Sequence, residues 1–141
     1  MRQTYYGVSS ETFTALEDKL KQYSELTKQL FHPRLEKEQR MIALTKRTEL
    51  KNTIQAELTA SGVLLGFIND GQIEEWEATV SKIENEEIGQ LLRSNCIPFS
   101  RLESVLAGLM SAQAKGSVME KAAFFLERAE QQRQNVIVWI V

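Results

Sequence analysis

The sequence predicts an all-α protein: a helical bundle of about five helices, with a long N-terminal helical hairpin and short extended termini, forming one domain over residues 1–141. Three observations carry that expectation. Only 7 glycines and 2 prolines occur in 141 residues, so long stretches are free of helix breakers. Apolar residues recur at the alternating 3–4 spacing of a helix with one buried face. Two Ser-x-x-Glu signals, Ser100/Glu103 and Ser117/Glu120, match the capping box that opens a helix.

Residues 3–8 read as a short extended segment rich in aromatics. Ser9 or Ser10 offers an N-cap, with Glu11 placed to favour the positive helix end. Phe13, Leu16, Leu20, Tyr23, Thr27 and Leu30 then follow at spacings that keep one seam facing a partner helix. The seam is too short to establish a free coiled coil and suits a bundle helix. Pro33 disfavours helix at His32 and also suits the first position of a new helix. The second helix runs to about Ala60, with Leu35, Ile42, Leu44, Leu50, Ile54 and Leu58 as its inward positions. It either folds back on the first as an antiparallel hairpin or continues it as a kinked rod.

The apolar patch at residues 62–71 reads as the buried tail of that second helix, ending in a turn. Ile73, Trp76, Val80 and Ile83 mark a third helix, and Ile88, Leu91 and Leu92 continue the spacing after a break near Asn85. The two Ser-x-x-Glu signals open helices carrying Leu102, Val105, Leu106 and Leu109, and then Val118, Ala122, Phe125, Leu126 and Ala129. Gly116 is a suitable stop between them. The last six residues, Val136, Ile137, Val138, Trp139, Ile140 and Val141, are β-branched or aromatic and favour a strand.

That tail is an aggregation hazard if left in water. Three covers suit it: pairing with the extended segment around Tyr5 and Tyr6 or packing into the bundle, strand addition to a partner, or self-association. Val136 to Val141 are therefore the candidate partner-binding residues. Trp139 is the candidate hot spot, since tryptophan is enriched at such points, and Trp76 is expected in the core.

Charge is segregated. Arg34, Lys37, Arg40, Lys46, Arg47 and Lys51 crowd one segment, against three glutamates. Asp70, Glu74, Glu75, Glu77, Glu84, Glu86 and Glu87 crowd another, against Lys82. The plain reading is two solvated faces that attract each other within the fold or across a dimer. The basic segment could instead contact phosphates, with a steep salt dependence, although no nucleic-acid-binding motif accompanies it. The net charge of −2 sets up no global field for nucleic acid or an acidic membrane.

Signals for catalysis are sparse. His32 is the only histidine and Cys96 the only cysteine, so a multi-histidine metal site and an internal disulfide are both excluded within one chain. Nothing in the sequence brings Cys96 to a base, and a small apolar residue at a helix end is its simplest role. A lone cysteine suits a reducing compartment. No signal-peptide run and no membrane-length apolar stretch is visible. The expectation is therefore a cytoplasmic, non-enzymatic protein–protein interaction module (an adaptor, inhibitor, assembly chaperone or regulator) that needs no cofactor or metal and has no membrane span. It would act through helical seams and the apolar tail, and form homo-oligomers through a seam such as Phe13-Leu16-Leu20-Tyr23. The alternative is a nucleic-acid-binding regulator using the basic face at 34–51.

Overall fold

The structure, a computed structural model, describes residues 2–111 and 116–140. Ten elements follow in chain order: β1 (Arg2–Val8), α1 (Ser10–Leu30), α2 (Lys37–Ser61), β2 (Val63–Asn69), α3 (Asp70–Ser81), α4 (Glu86–Arg93), β3 (Cys96–Ile97), α5 (Phe99–Ser111), α6 (Ser117–Gln131) and β4 (Asn135–Ile140). Helix takes 70% of this and strand 16%, the strands forming one four-stranded antiparallel sheet. The all-α expectation is thereby corrected: the fold is mixed, with six helices arranged on a sheet.

The sheet has the order β2-β1-β4-β3, so the first and last strands of the chain are its two inner strands. They pair antiparallel, Gln3 opposite Ile140 through Val8 opposite Asn135. Alternate side chains of a strand point to opposite faces, and here both faces are covered. Tyr5, Val136 and Val138 join Leu65, Ile68 and residues of α3 to α6 in one apolar cluster. Val8, Ile137 and Trp139 join Phe13, Leu16, Leu20, Ile54 and Leu58 in a second. The molecule is thus three layers: the α1–α2 hairpin, the sheet, and the α3–α6 layer. A strand buried on both faces needs apolar residues at every position, which explains the unbroken run at the C-terminus.

Residues 62–71 are likewise not the tail of α2. The helix stops at Ser61, and Val63–Asn69 is the seven-residue edge strand β2. Its pairing with β1 carries a bulge, because Tyr5 faces Gly66 while Tyr6 faces Leu64. The extra residue, Leu65, turns its carbonyl to the Arg128 guanidinium, which donates to it at 3.2 Å. Gly66 has φ +152°, and a Cβ there would drive into the Phe125 ring. Bulges twist an edge strand and discourage edge-to-edge pairing, which matters for an uncharged segment such as Val63-Leu64-Leu65-Gly66-Phe67.

Local signals account for several boundaries. The Ser9 side chain accepts from the Thr12 amide at 3.2 Å and caps α1. Asn85 caps α4 by accepting from Ile88. The two predicted capping boxes do not form. Helix α5 begins at Phe99, one residue before Ser100, and α6 begins at Ser117 with Gly116 as its cap and no side-chain cap bond. A reciprocal Gln72-to-Asn69 bond, with the Asn69 amide donating, stands instead at the start of α3. Helix α6 ends in a Schellman turn: Arg133 has φ 55°, and the amides of Arg133 and Gln134 donate to Glu130 and Ala129. That turn aims the chain back into the sheet. Asn135 then ties three segments together, donating to Val8 and Ser10 and accepting from the Phe99 amide.

Two substitutions test this architecture. Gly66→Ala should cost about 3 kcal/mol, combining strain at a positive φ with overpacking against Phe125. Trp139→Ala should cost about 3–5 kcal/mol, as for other buried aromatics cut to alanine. Urea unfolding checks both, and a loss under about 1 kcal/mol at either position would contradict the packing described.

Candidate interaction surface

The C-terminal tail and the α1–α2 hairpin were the two elements from which the sequence pointed to contact with a partner, and the fold treats them oppositely. Val136, Ile137, Val138 and Trp139 are buried inside β4, with Trp139 only 2% exposed. The cover is internal, by pairing with β1 and packing on both faces. The Trp139 indole donates to Gln55 at 2.7 Å and its ring lies 5.1 Å from Tyr23. It is a core anchor between hairpin and sheet rather than an outward hot spot. Ile140, at 38%, is the exposed member of the tail, and Val141 lies outside the described residues.

The first two helices form the antiparallel hairpin, not the kinked rod. Because α1 follows β1 through Ser9 alone, it must run back along the strand. It has 21 residues and α2 has 25, about 31 and 37 Å long, against about 23 Å for a seven-residue strand. The hairpin therefore overhangs the sheet at the end where β1 begins and β4 finishes. One cleft locates the crossing point: Tyr23, Thr27 and Arg47 meet Trp139 and Ile140 there. From Lys21 to Thr53 the only buried residue is Ala43.

The overhanging part keeps a wet apolar surface. Phe31 is 82% exposed, Met41 62% and Ile42 56%, with Leu44 also exposed. Ile42 and Leu44 were expected inward. They point out because no sheet lies beneath this part of α2, and only the Ala43 row meets α1. The seam Phe13-Leu16-Leu20-Tyr23 was expected to face another helix or another copy. It faces a helix of its own chain, packing on Ile54 and Leu58 of α2, and also on the sheet, against Val8, Ile137 and Trp139.

The six basic residues do not share one face. Arg34, Lys37 and Arg40 stand exposed at the hairpin tip, where Arg40 donates to the Leu30 carbonyl at 3.0 Å. Lys46 lines the outward groove between α1 and α2. Arg47 points to the sheet side, donating to Thr27 at 2.9 Å and lying over the Tyr23 ring. Lys51 is half-buried. The acidic segment lies on α3 and α4, in the layer across the sheet from the hairpin. The two charged segments therefore do not neutralise each other within the chain. The two ion pairs among the described residues, Lys19–Glu57 and Arg101–Glu87, join neither segment to the other.

The candidate reactive groups are apart. His32 is exposed at the hairpin tip, its Nδ1 accepting from the Arg34 amide at 3.2 Å. Cys96 sits in β3 at the floor of a cleft of about 540 Å³ that Glu17, Asp18 and Lys21 of α1 help to line. Burial, and secondarily the Glu17 carboxylate, push its thiol up to about 12, which keeps it protonated and weakly nucleophilic. Among the described residues no group of three or more His, Cys, Asp or Glu is placed to hold a metal ion, and no helix is long and apolar enough to cross a membrane.

No family model matches the chain, and no curated protein or solved structure matches it. The surface itself is thus what speaks to function. Phe31 and Met41 are residues that sequence reasoning passed over, and Ile42 is one that it placed inward. The available signal was their position around Pro33, at the turn of a hairpin longer than a strand can cover.

Burial of Cys96 and Tyr5 has a consequence for pH. In the unfolded chain the thiol ionises near 9.0, whereas in the fold it holds its proton to about 12; burial raises the Tyr5 hydroxyl as well. Raised acids favour the folded state below their unfolded pKa, and that contribution is lost as pH climbs toward the folded value. Stability should therefore fall from about pH 9 upward. Comparing urea midpoints at neutral pH and about pH 10, Cys96→Ala combined with Tyr5→Phe should show a smaller drop than the native chain. An equal drop would mean that neither group is shielded.

Proposed function

We propose that this protein is a non-enzymatic protein–protein interaction module whose contact element is the overhanging end of the α1–α2 hairpin. The observation that carries the reading is the exposure of Phe31, Met41 and Ile42 on a rigid pair of helices held clear of the sheet. Isolated exposed apolar residues are ordinary on a monomer, but a group of them with polar surroundings marks a contact surface. Charges of both signs at the same tip, Arg34, Lys37 and Arg40 with Glu36 and Glu38 among them, would set the orientation of the encounter with a partner surface. The base of the hairpin is fixed to the sheet through Leu16, Leu20, Ile54 and Leu58, so the tip is presented in one geometry and little ordering entropy opposes binding. The mixed face of apolar residues and charges of both signs fits a protein surface better than a phosphate backbone, which Glu36 and Glu38 would repel and for which Met41 and Ile42 offer nothing.

The test is capture of proteins from a nuclease-treated host lysate by the tagged native chain and by a Met41→Ser/Ile42→Ser variant. Both positions are exposed, so the variant should unfold within about 0.5 kcal/mol of the native chain. The expected outcome is a stoichiometric protein held by the native chain and lost by the variant. Equal capture by the two chains would remove the hairpin end as the contact element.

A further inference from the structure

We infer that Lys121 and Arg128 guard the outer edge of β2, and that their positive charge keeps this strand from pairing edge to edge with the β2 of a second copy. The inference stands apart from the hairpin reading and uses none of its residues.

Strand β2 needs such a guard. Among the described residues it is an outer strand of the sheet, paired on one side alone, with β1. Its seven residues, Val63 to Asn69, carry no charge, and Val63 and Leu64 are 41% and 57% exposed. An uncharged apolar edge is a template for another chain. The bulge at Leu65 twists the first half of the strand but leaves Phe67 to Asn69 in regular register with Thr4 to Arg2.

Helix α6 supplies the two cations. Lys121 and Arg128 are about two turns apart, so they share one face of the helix about 10 Å from each other. That spacing matches about three residues of strand. Arg128 donates to the Leu65 carbonyl at 3.2 Å. Lys121 stands at Phe67, its Nζ 5.2 Å from the ring centre. Phe67 belongs to the hairpin face of the sheet, because its neighbour Ile68 is buried under α3 to α6 and successive side chains alternate. Helix α6 lies on the other face. The inner edge of β2 is taken by β1, so Lys121 reaches that ring around the outer edge, where a further strand would have to lie about 4.8 Å away.

The two ion pairs among the described residues involve neither cation. Their acceptors are the neutral Gln72 and the Leu65 carbonyl. Glu120 and Glu127 precede them by one residue each, which turns these acids about 100° away around α6. Asp70 lies just beyond the strand, at the start of α3, and Arg2, 4.7 Å from the Phe67 ring, adds a third cation at that end. Antiparallel pairing of two β2 strands about a two-fold axis normal to the sheet would set the two α6 helices side by side on one face of the joined sheet. Lys121 and Arg128 of both copies would then line the seam, over strands that have no acid to answer them. Juxtaposed like charges reject a partner, and a cation across an exposed edge is a common way of blunting it.

The experiment is sedimentation velocity of the full chain over a range of concentrations, with circular dichroism and urea unfolding to establish that each variant is folded. Lys121→Gln/Arg128→Gln removes both charges and keeps side chains that still reach the edge. Lys121→Arg/Arg128→Lys keeps both charges. The neutral pair should self-associate at a concentration about 100-fold below that of the native chain, and the charge-keeping pair should behave as native. Adding Leu64→Lys to the neutral pair returns a charge to the strand itself and should restore the native behaviour. Lys121→Gln alone leaves the Arg128 bond to Leu65 in place and should shift association in the same direction. A folded neutral pair as dispersed as the native chain overturns the inference, as does a dispersed Lys121→Gln chain where only that variant folds. Association that Leu64→Lys leaves untouched also overturns it, since the copies would then meet elsewhere, and so does a charge-keeping pair that associates like the neutral one.

Discussion

The burial of β4 on both faces is the constraint from which the other contacts follow. Val136 and Val138 complete the cluster under α3 to α6, and Ile137 and Trp139 complete the cluster under the hairpin. The same strand pairs with β1 on one side and β3 on the other. Without it the two helical layers have no common floor, since neither layer contributes a core that is closed on its own. The Schellman turn at Arg133 and the three bonds of Asn135 fix the start of this strand. The closure of β4 on β1 joins residues more than a hundred positions apart, a non-local pairing of the kind that slows folding.

A sheet covered on both sides also decides what remains at the surface. The hairpin is longer than the strands it covers. Its inner half is held by Leu16, Leu20, Ile54 and Leu58, and its outer half has nothing beneath it. Helix length against strand length is a simple mismatch of rise per residue, and it places Phe31, Met41 and Ile42 in water at the far end of a stiff lever. The apolar surface available for contact is thus a product of geometry. It lies away from the apolar tail, which the fold consumes.

Electrostatics follows the same layering. Residues 34–51 and 70–87 are adjacent in sequence apart from the second half of α2 and β2, yet they end on opposite sides of the sheet. Exposed pairs contribute little to the stability of a single chain. Left unneutralised on opposite layers, these charges act outward, where they influence encounter and orientation more than folding.

Helices were legible in the sequence because a 3–4 apolar period and the absence of Gly and Pro are local properties, read within one element. Ser9, Asn85 and Pro33 marked real boundaries for the same reason, and Trp76 was recognisable as core from its place in the period. The strand character of Val136-Ile137-Val138-Trp139-Ile140 was also local, being intrinsic to β-branched and aromatic side chains. What the sequence alone could not supply was the partner of each strand. Pairing of β4 with β1 joins residues more than a hundred positions apart, and β2 gave no alternation to read because a bulge at Leu65 interrupts its period. Ser100 and Ser117 carry the right spacing for capping boxes, but the chain enters those helices from β3 and from Gly116 in directions that leave the serines inside. Ile42 and Leu44 have the period of buried residues, and only tertiary structure shows that no layer lies under them. Local free energies determined which residues form helices and strands. Long-range packing decided which of their faces were covered, and therefore which residues were left to meet a partner.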